Sequence, residues 1–255
     1  MRLSPHHPRY RSLTTRVGLA RAHRTGLVVA EGLIAHGRGE AFDYLLGEKT
    51  SASARRAETV AADWLRAAHR PVVSVNGNVA ALAAREVARI VRAAPHVAVE
   101  VNLFHRTPGR ARAVARALER AGVREVLGVR PSARIAGLPS DRARVDRRGI
   151  YVADVCLVPL EDGDRAEALR RRGQKVISVD LNPLSRTSRT ADLPIVDEVR
   201  RALGHIADDL ERPARRFPAR WAPFDAAQAL SDALDTIDRR LTGAAARRRT
   251  RRPRA

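Results

Sequence analysis

The stretch ADVCLVPLEDGDRAEALRRRGQKVISVDLNP (153–183) decides the fold. Its first eight residues (153–160) are apolar almost throughout, as expected of a strand covered on both faces. EDGD (161–164) breaks the run, and a short helix follows as far as Arg172. KVISVD (175–180) is then a second apolar, β-branched run. Strand, helix and strand in so short a span read as parallel neighbours joined by a crossover.

The same alternation extends outward. On the N-terminal side, PVVSV (71–75) ends at Asn76-Gly77-Asn78, and the helix that follows sets Val79, Leu82, Val87, Ile90 and Val91 on one stripe. HVAVEVNLF (96–104) reads as a strand broken by RTPG. The next helix turns Ala111, Val114, Ala115, Leu118 and Ala121 inward and closes at Gly122. VREVLGV (123–129) is expected to be a third strand, and 131–149, polar and basic without a period, a long loop or lid. On the C-terminal side LPIV (193–196) is a strand, and Val199, Leu203, Ile206 and Leu210 form another helical stripe. The expected class is α/β: a Rossmann-like, doubly wound parallel sheet with a helical N-terminal segment and a C-terminal helical appendage. One domain spans 1–243. It divides into a helical part (1–70) around a Gly-rich loop at 32–39, a Rossmann-like core (71–211) and a helix at 225–242. The helical part includes an amphipathic helix over Ala52–Ala68. A disordered basic tail (244–255) follows.

The chain has 255 residues, 44% of them hydrophobic but only 4% aromatic, so its core must be built from Ala, Val, Leu and Ile. No run approaches the roughly 20 apolar residues of a membrane helix. MRLSPHHPRYRSLTTR has no apolar run after its charges, so a secretory signal is not expected. The single cysteine, Cys156, can form no internal disulfide and no Cys-based zinc site, which suits a reducing cytoplasm. The net charge of +20 invites a nucleic-acid reading. Yet only Lys49 and Lys175 are lysines, and the arginines are spread along helix faces as a solvated surface. RRRTRRPR (247–254) is the exception; like charges so closely packed repel and stay disordered.

Ligands of an open parallel sheet bind beyond the carboxyl ends of its strands. Polar groups gather there in this chain: Asn76, Gly77 and Asn78; Asn102; Glu161 to Asp164; Asp180 to Asn182. Any one of these reads as a turn or a helix cap; together they favour a site. GLIAHGRGEAFDYL (32–45) spaces glycines like a phosphate loop, but Arg38 and Gly39 stand where Lys and Ser/Thr belong. Its glycines still permit close approach to an anion, and Arg38 adds a fork of donors. His36 is a candidate acid, base or phosphate donor, or simply a local hydrogen-bonding residue. Ser185, Arg186, Thr187 and Ser188 suit phosphate or form a Ser/Thr-rich turn with a surface arginine, and neither spacing nor composition chooses between the two. Asp162 and Asp164 could take magnesium or cap a helix. There is no H-E-x-x-H, calcium loop or G-x-S-x-G elbow.

HPRYRSLTTR (7–16), GLIAHGRGEAFDYLLGEKT (32–50), PVVSVNGNVAAL (71–82), EVNLFHRT (100–107), ADVCLVPLEDGDRAEAL (153–169) and VDLNPLSRTSRTADLPIVD (179–197) closely resemble the archaeal phosphopantothenate synthetases, or 4-phosphopantoate–β-alanine ligases. The resemblance is collinear from about His7 to Arg201. It implies a homodimer that consumes ATP, with Mg2+, to join 4-phosphopantoate to β-alanine in coenzyme A biosynthesis, releasing AMP and diphosphate. It places ATP on Arg16, Arg38, Asp180, Leu181, Asn182, Arg186, Thr187, Glu198 and Val199. The family has Asn where this chain has Glu198, and a charged residue directly after Arg16 where this chain has Val17. His36, Asn76 and Asn78 are candidates for the phosphopantoate pocket by position, and His36 and Arg38 for catalysis. No membrane or required nucleic-acid partner is expected. A small-molecule kinase on the same fold, and a nucleic-acid-binding module, are the rival readings.

Overall fold

The computed structural model describes residues 4, 6, 7, 9–213 and 221–250, with side chains to 246. Three helices come first: α1 (Tyr10–Arg24), α2 (Ala30–Leu46) and α3 (Ala52–Ala67). The sheet then begins with β1 (Pro71–Val75), α4 (Gly77–Ala93), β2 (Ala98–Val101) and α5 (Pro108–Ala121). A short hairpin, β3 (Ala133–Arg134) and β4 (Arg144–Val145), precedes β5 (Val155–Pro159) and α6 (Gly163–Arg171). β6 (Lys175–Val179), α7 (Arg186–Thr190), β7 (Leu193–Ile195), α8 (Val199–Glu211) and α9 (Ala226–Thr250) complete the order.

Five strands form one parallel sheet in the order β2-β1-β5-β6-β7. Strand order reverses between β1 and β5, so the crevice of an open α/β sheet opens there, beyond the strands' carboxyl ends. Val73, Val75, Val99, Val101, Leu157 and Ile177 bury one face under α3, α4, α5 and α8. Val72, Cys156, Val158 and Val176 bury the other under α6 and the segment carrying Ile135, Leu138 and Ile150. A sheet covered on both faces explains the unbroken apolar runs of its strands.

Local sequence sets the helix starts. Ser51, Asn76, Thr107, Asp162 and Ser185 each accept a backbone N–H of the first turn of the helix they precede, and Pro108 opens α5 where its missing donor costs nothing. Gly122 ends that helix at φ 109°, in the left-handed region. No helix among the described residues is long and apolar enough to cross a membrane.

Four expectations need correction. Residues 32–39 are not a loop but the interior of α2; of the glycines there only Gly32 is closely packed, against Asn78. Residues 123–129 form no third strand, only a single bridge from Leu127 to Glu100, because Gly128 turns away at φ 78°. Residues 131–149 are no lid: the β3–β4 hairpin and buried Ile135, Leu138, Ala143 and Val145 fix them to the core. The last helix outruns 225–242 and reaches Thr250, into the arginine-rich stretch. Residues 251–255 of the expected tail lie outside the described residues.

Candidate functional site

The turn after β6 is held by its own side chains. Asp180 Oδ1 accepts the Asn182 N–H at 3.0 Å, and Asn182 Oδ1 accepts that of Leu184 at 2.9 Å. Ser185 Oγ caps α7 through the Ser188 N–H, and Ser188 Oγ donates to the Asn182 carbonyl at 2.9 Å. Such closed local bonding fixes the turn without outside help. Burial raises the Asp180 carboxyl above its ordinary value, opposed by hydrogen bonds from Ser185 and the Asn182 backbone and by the charge of Arg38.

Helix α2 lies over this turn. A Cβ on Gly39 would stand 3.8 Å from Leu181 Cδ1, in ordinary contact. Leu181 also joins Leu46, Val196 and Ala233 in a small apolar cluster, so α2, the turn and α9 pack together. Arg38 is exposed and has no hydrogen bond or ion pair among the described residues. Arg16, by contrast, holds Glu40 at 2.9 Å and donates to the Tyr44 hydroxyl. His36 is half-buried and its Nε2 meets no partner; burial lowers its pKa, so the ring is neutral at physiological pH.

The end of β5 carries a buried ion network that the sequence did not disclose. Glu161 accepts from Arg142 Nη1 at 2.9 Å and from the fully buried Arg165. Arg165 also donates to Ser74 Oγ on β1, and Arg142 to the Asn102 carbonyl beyond β2. The carboxyl ends of three strands are thereby tied together. Asp162 caps α6 through the Arg165 N–H and lies 2.9 Å from Arg142. Asp164 is exposed and paired with Arg186 at 2.6 Å. Gly163 lets the Arg186 backbone approach where any Cβ would collide, and Thr187 Oγ1 donates to the Glu161 carbonyl at 2.8 Å. The ends of β5 and β6 therefore form one continuous polar rim.

At β7, Glu198 caps α8 by accepting the Arg200 and Arg201 N–H groups, each at 3.1 Å. Burial raises its carboxyl, opposed by those two bonds. Val199 is buried. At β1, Asn76 caps α4 and donates to the Leu160 carbonyl across the crevice at 2.9 Å, and Asn78 donates to the Gly32 carbonyl at 2.8 Å. Both amides are engaged with backbone.

The family model for phosphopantothenate/pantothenate synthetase matches residues 53–240. A 4-phosphopantoate–β-alanine ligase of Methanospirillum hungatei is 56% identical over 79% of this chain and 82% of its own length. Proteins of that name from Thermococcus onnurineus (47% identical, 92% of each chain) and Methanosarcina mazei (46%, covering 95% and 97%) are also similar. The chain belongs to the phosphopantothenate/pantothenate synthetase family.

In this synthetase-family chain the candidate residues fall into two sets. Arg38, Asp180, Leu181, Asn182, Arg186 and Thr187 are gathered where α2 meets the β5 and β6 ends. Glu198 and Val199 stand at the next strand end. Asn76 and Asn78 have their side chains already bonded, and Arg16 reaches α2 through Glu40 and Tyr44. Arg142 escaped a reading by motif because its partners Asn102 and Glu161 lie in other segments, and Arg165 because its local pair with Glu161 looks like any surface pair until Ser74 buries it.

Proposed function

We propose that the chain is an ATP-dependent ligase that condenses 4-phosphopantoate with β-alanine to 4′-phosphopantothenate, AMP and diphosphate. The observation that carries this reading is the identity of 46–56% to ligases of that name over most of both chains. The site's chemistry supports it. A carboxylate is a poor electrophile, so the reaction needs activation. The phosphopantoate carboxylate attacks the α-phosphorus, a P–O bond forms and diphosphate leaves. The β-alanine amine, having lost a proton, then attacks the acyl carbon and AMP leaves. Neither step needs a nucleophile from the protein, which contributes positioning and charge stabilisation.

Arg38 is a cation without a partner beside the Asp180 turn and would neutralise phosphate. Arg186 and Arg16 would join it by exchanging Asp164 and Glu40 for phosphate oxygens. Asp180 and Asn182 would hold the nucleoside, with Leu181 and Val199 as apolar neighbours. A magnesium ion would arrive on the ATP phosphates and keep most of its waters; Asp164, exposed, is better placed to meet it than Asp162, which α6 and Arg142 occupy. His36, neutral and with no partner on Nε2, is the candidate contact for phosphopantoate, on the side of α2 that carries Glu40 and Asp43. We further propose a cytoplasmic homodimer.

Product analysis tests the reading. Purified protein with ATP, magnesium, 4-phosphopantoate and β-alanine should release AMP and phosphopantothenate only when both acceptors are present. ADP in place of AMP would replace the ligase by a kinase.

A further inference from the structure

Behind the β7 end, away from Arg38, lies a cluster that the proposed reaction does not use. Glu58 of α3 is fully buried, and its Oε2 lies 2.8 Å from His205 Nδ1 of α8. Its other oxygen, Oε1, has no hydrogen-bond partner. Asp197 is a close neighbour, so two carboxyl groups approach one another. One ligating atom each from Glu58, Asp197 and His205 lie within 4.8 Å of one another.

The surrounding cations do not settle this carboxylate. Arg201 serves Asp197 and Asp43, at 2.6 Å each. Arg55 serves Asp209 at 2.6 Å and stands 3.9 Å from Glu58. Arg212, on the exposed rim, also serves Asp209. Asp197 further accepts from Thr50 and from the Glu198 N–H. Four carboxylates thus meet three guanidiniums, and Glu58, the most deeply buried, is left with His205 and the more distant Arg55 alone. A buried charge in that position must gain a cation or a proton.

We propose that Glu58, Asp197 and His205 bind one divalent transition-metal ion, with zinc the favoured species. Two carboxylate oxygens and an imidazole nitrogen are three protein ligands of the kind zinc takes, with a fourth position left for water. An imidazole ligand selects against magnesium and calcium, which prefer oxygen alone. His205 is only partly buried and gives the ion a way in from solvent. Thr50 and Arg201 on Asp197 act as the outer partners that orient a ligating carboxylate. The ion would join α3, the β7–α8 turn and α8, and so stiffen the strand end that carries Glu198. In its absence the proton stays on Glu58, whose carboxyl burial pushes up to about 9; metal binding would release it.

The test uses the full chain stripped with EDTA and titrated with zinc chloride in a calorimeter, in two buffers of different ionisation heat, with thermal unfolding in parallel. One zinc per chain, proton release and a higher unfolding temperature are expected. All three should be lost in Glu58→Gln and in His205→Gln, and kept in His69→Gln, which removes an imidazole elsewhere. Glu58→Gln mimics the protonated side chain, so it should fold. If no one-to-one event occurs, or if Glu58→Gln binds zinc as the parent does, the proposal fails, and a proton alone closes the carboxylate pair.

Discussion

The Arg201 guanidinium lies 2.6 Å from Asp43 Oδ1, and the same nitrogen lies 2.6 Å from Asp197 Oδ1. Helix α8 thus grips helix α2 through one side chain, mostly shielded from water. Arg201→Ala leaves two carboxylates without their cation. Losing charged hydrogen bonds of this kind costs about 1.5–3 kcal/mol. Urea unfolding should show that loss, and the KM for ATP should rise because α2 carries Arg38. An unchanged unfolding midpoint would mean that other contacts hold α2.

Glu58 predicts how stability depends on pH. Its carboxyl titrates near 9 in the folded chain, against an ordinary 4.5. The folded state therefore keeps a proton that the unfolded state has released. The stability contribution is whole below about 4.5 and is lost as pH rises toward about 9, by at most roughly 1.4 kcal/mol per pH unit. In EDTA, Glu58→Gln should remove that decline, gaining on the parent chain steadily from acid to alkaline pH. Parallel curves for the two proteins would show that Glu58 is ionised throughout.

What could be read from the sequence was what repeats. Buried parallel strands write unbroken runs such as VCLVP, and Leu203, Ile206 and Leu210 follow the helical period, so the sheet and its helices were legible. The α2 glycines were not: what crowds Gly32 is Asn78, in another segment, while Gly37 and Gly39 leave room for a Cβ. The same holds for residues 131–149. Their few apolar side chains have no period, and Arg142 looks like one surface arginine among many until Glu161 is placed beside it. The Asp180–Thr187 turn was visible as a polar cluster at a strand end. Glu58 and His205, separated by more than half the chain, left no spacing to read.

Those glycines make a paired prediction. A Cβ at Gly37 would meet nothing within 4 Å, whereas one at Gly32 would stand 2.5 Å from Asn78 Oδ1. Both sit inside a helix, where Ala is better than Gly by roughly 0.8–1 kcal/mol. Gly37→Ala should therefore raise the unfolding midpoint. Gly32→Ala should lower it, since the Asn78 bond to α2 must break or shift. If both stabilise, α2 has room to move away from α4.

Glu198 accepts two N–H groups at the start of α8. Glu198→Ala should cost about 1 kcal/mol, the usual value of a lost cap. Glu198→Asn keeps a good cap while removing a negative charge beside the proposed nucleotide. It should hold stability and lower the KM for ATP. A KM unmoved by Asn would mean that the nucleotide meets only backbone here.

Arg38 carries the sharpest claim about catalysis. It is exposed and unpaired, so its removal breaks no contact in the fold, and Arg38→Ala should unfold at the parent's midpoint. If the guanidinium neutralises phosphate during adenylate formation, kcat/KM should fall about 10²–10³-fold, the usual loss for one such donor. Arg38→Lys keeps the charge but not the two-pronged geometry, and should recover only part of the rate. Steady-state AMP release over the three proteins decides it. Alanine at full rate would remove Arg38 from the mechanism. Full recovery by lysine would reduce its part to charge alone.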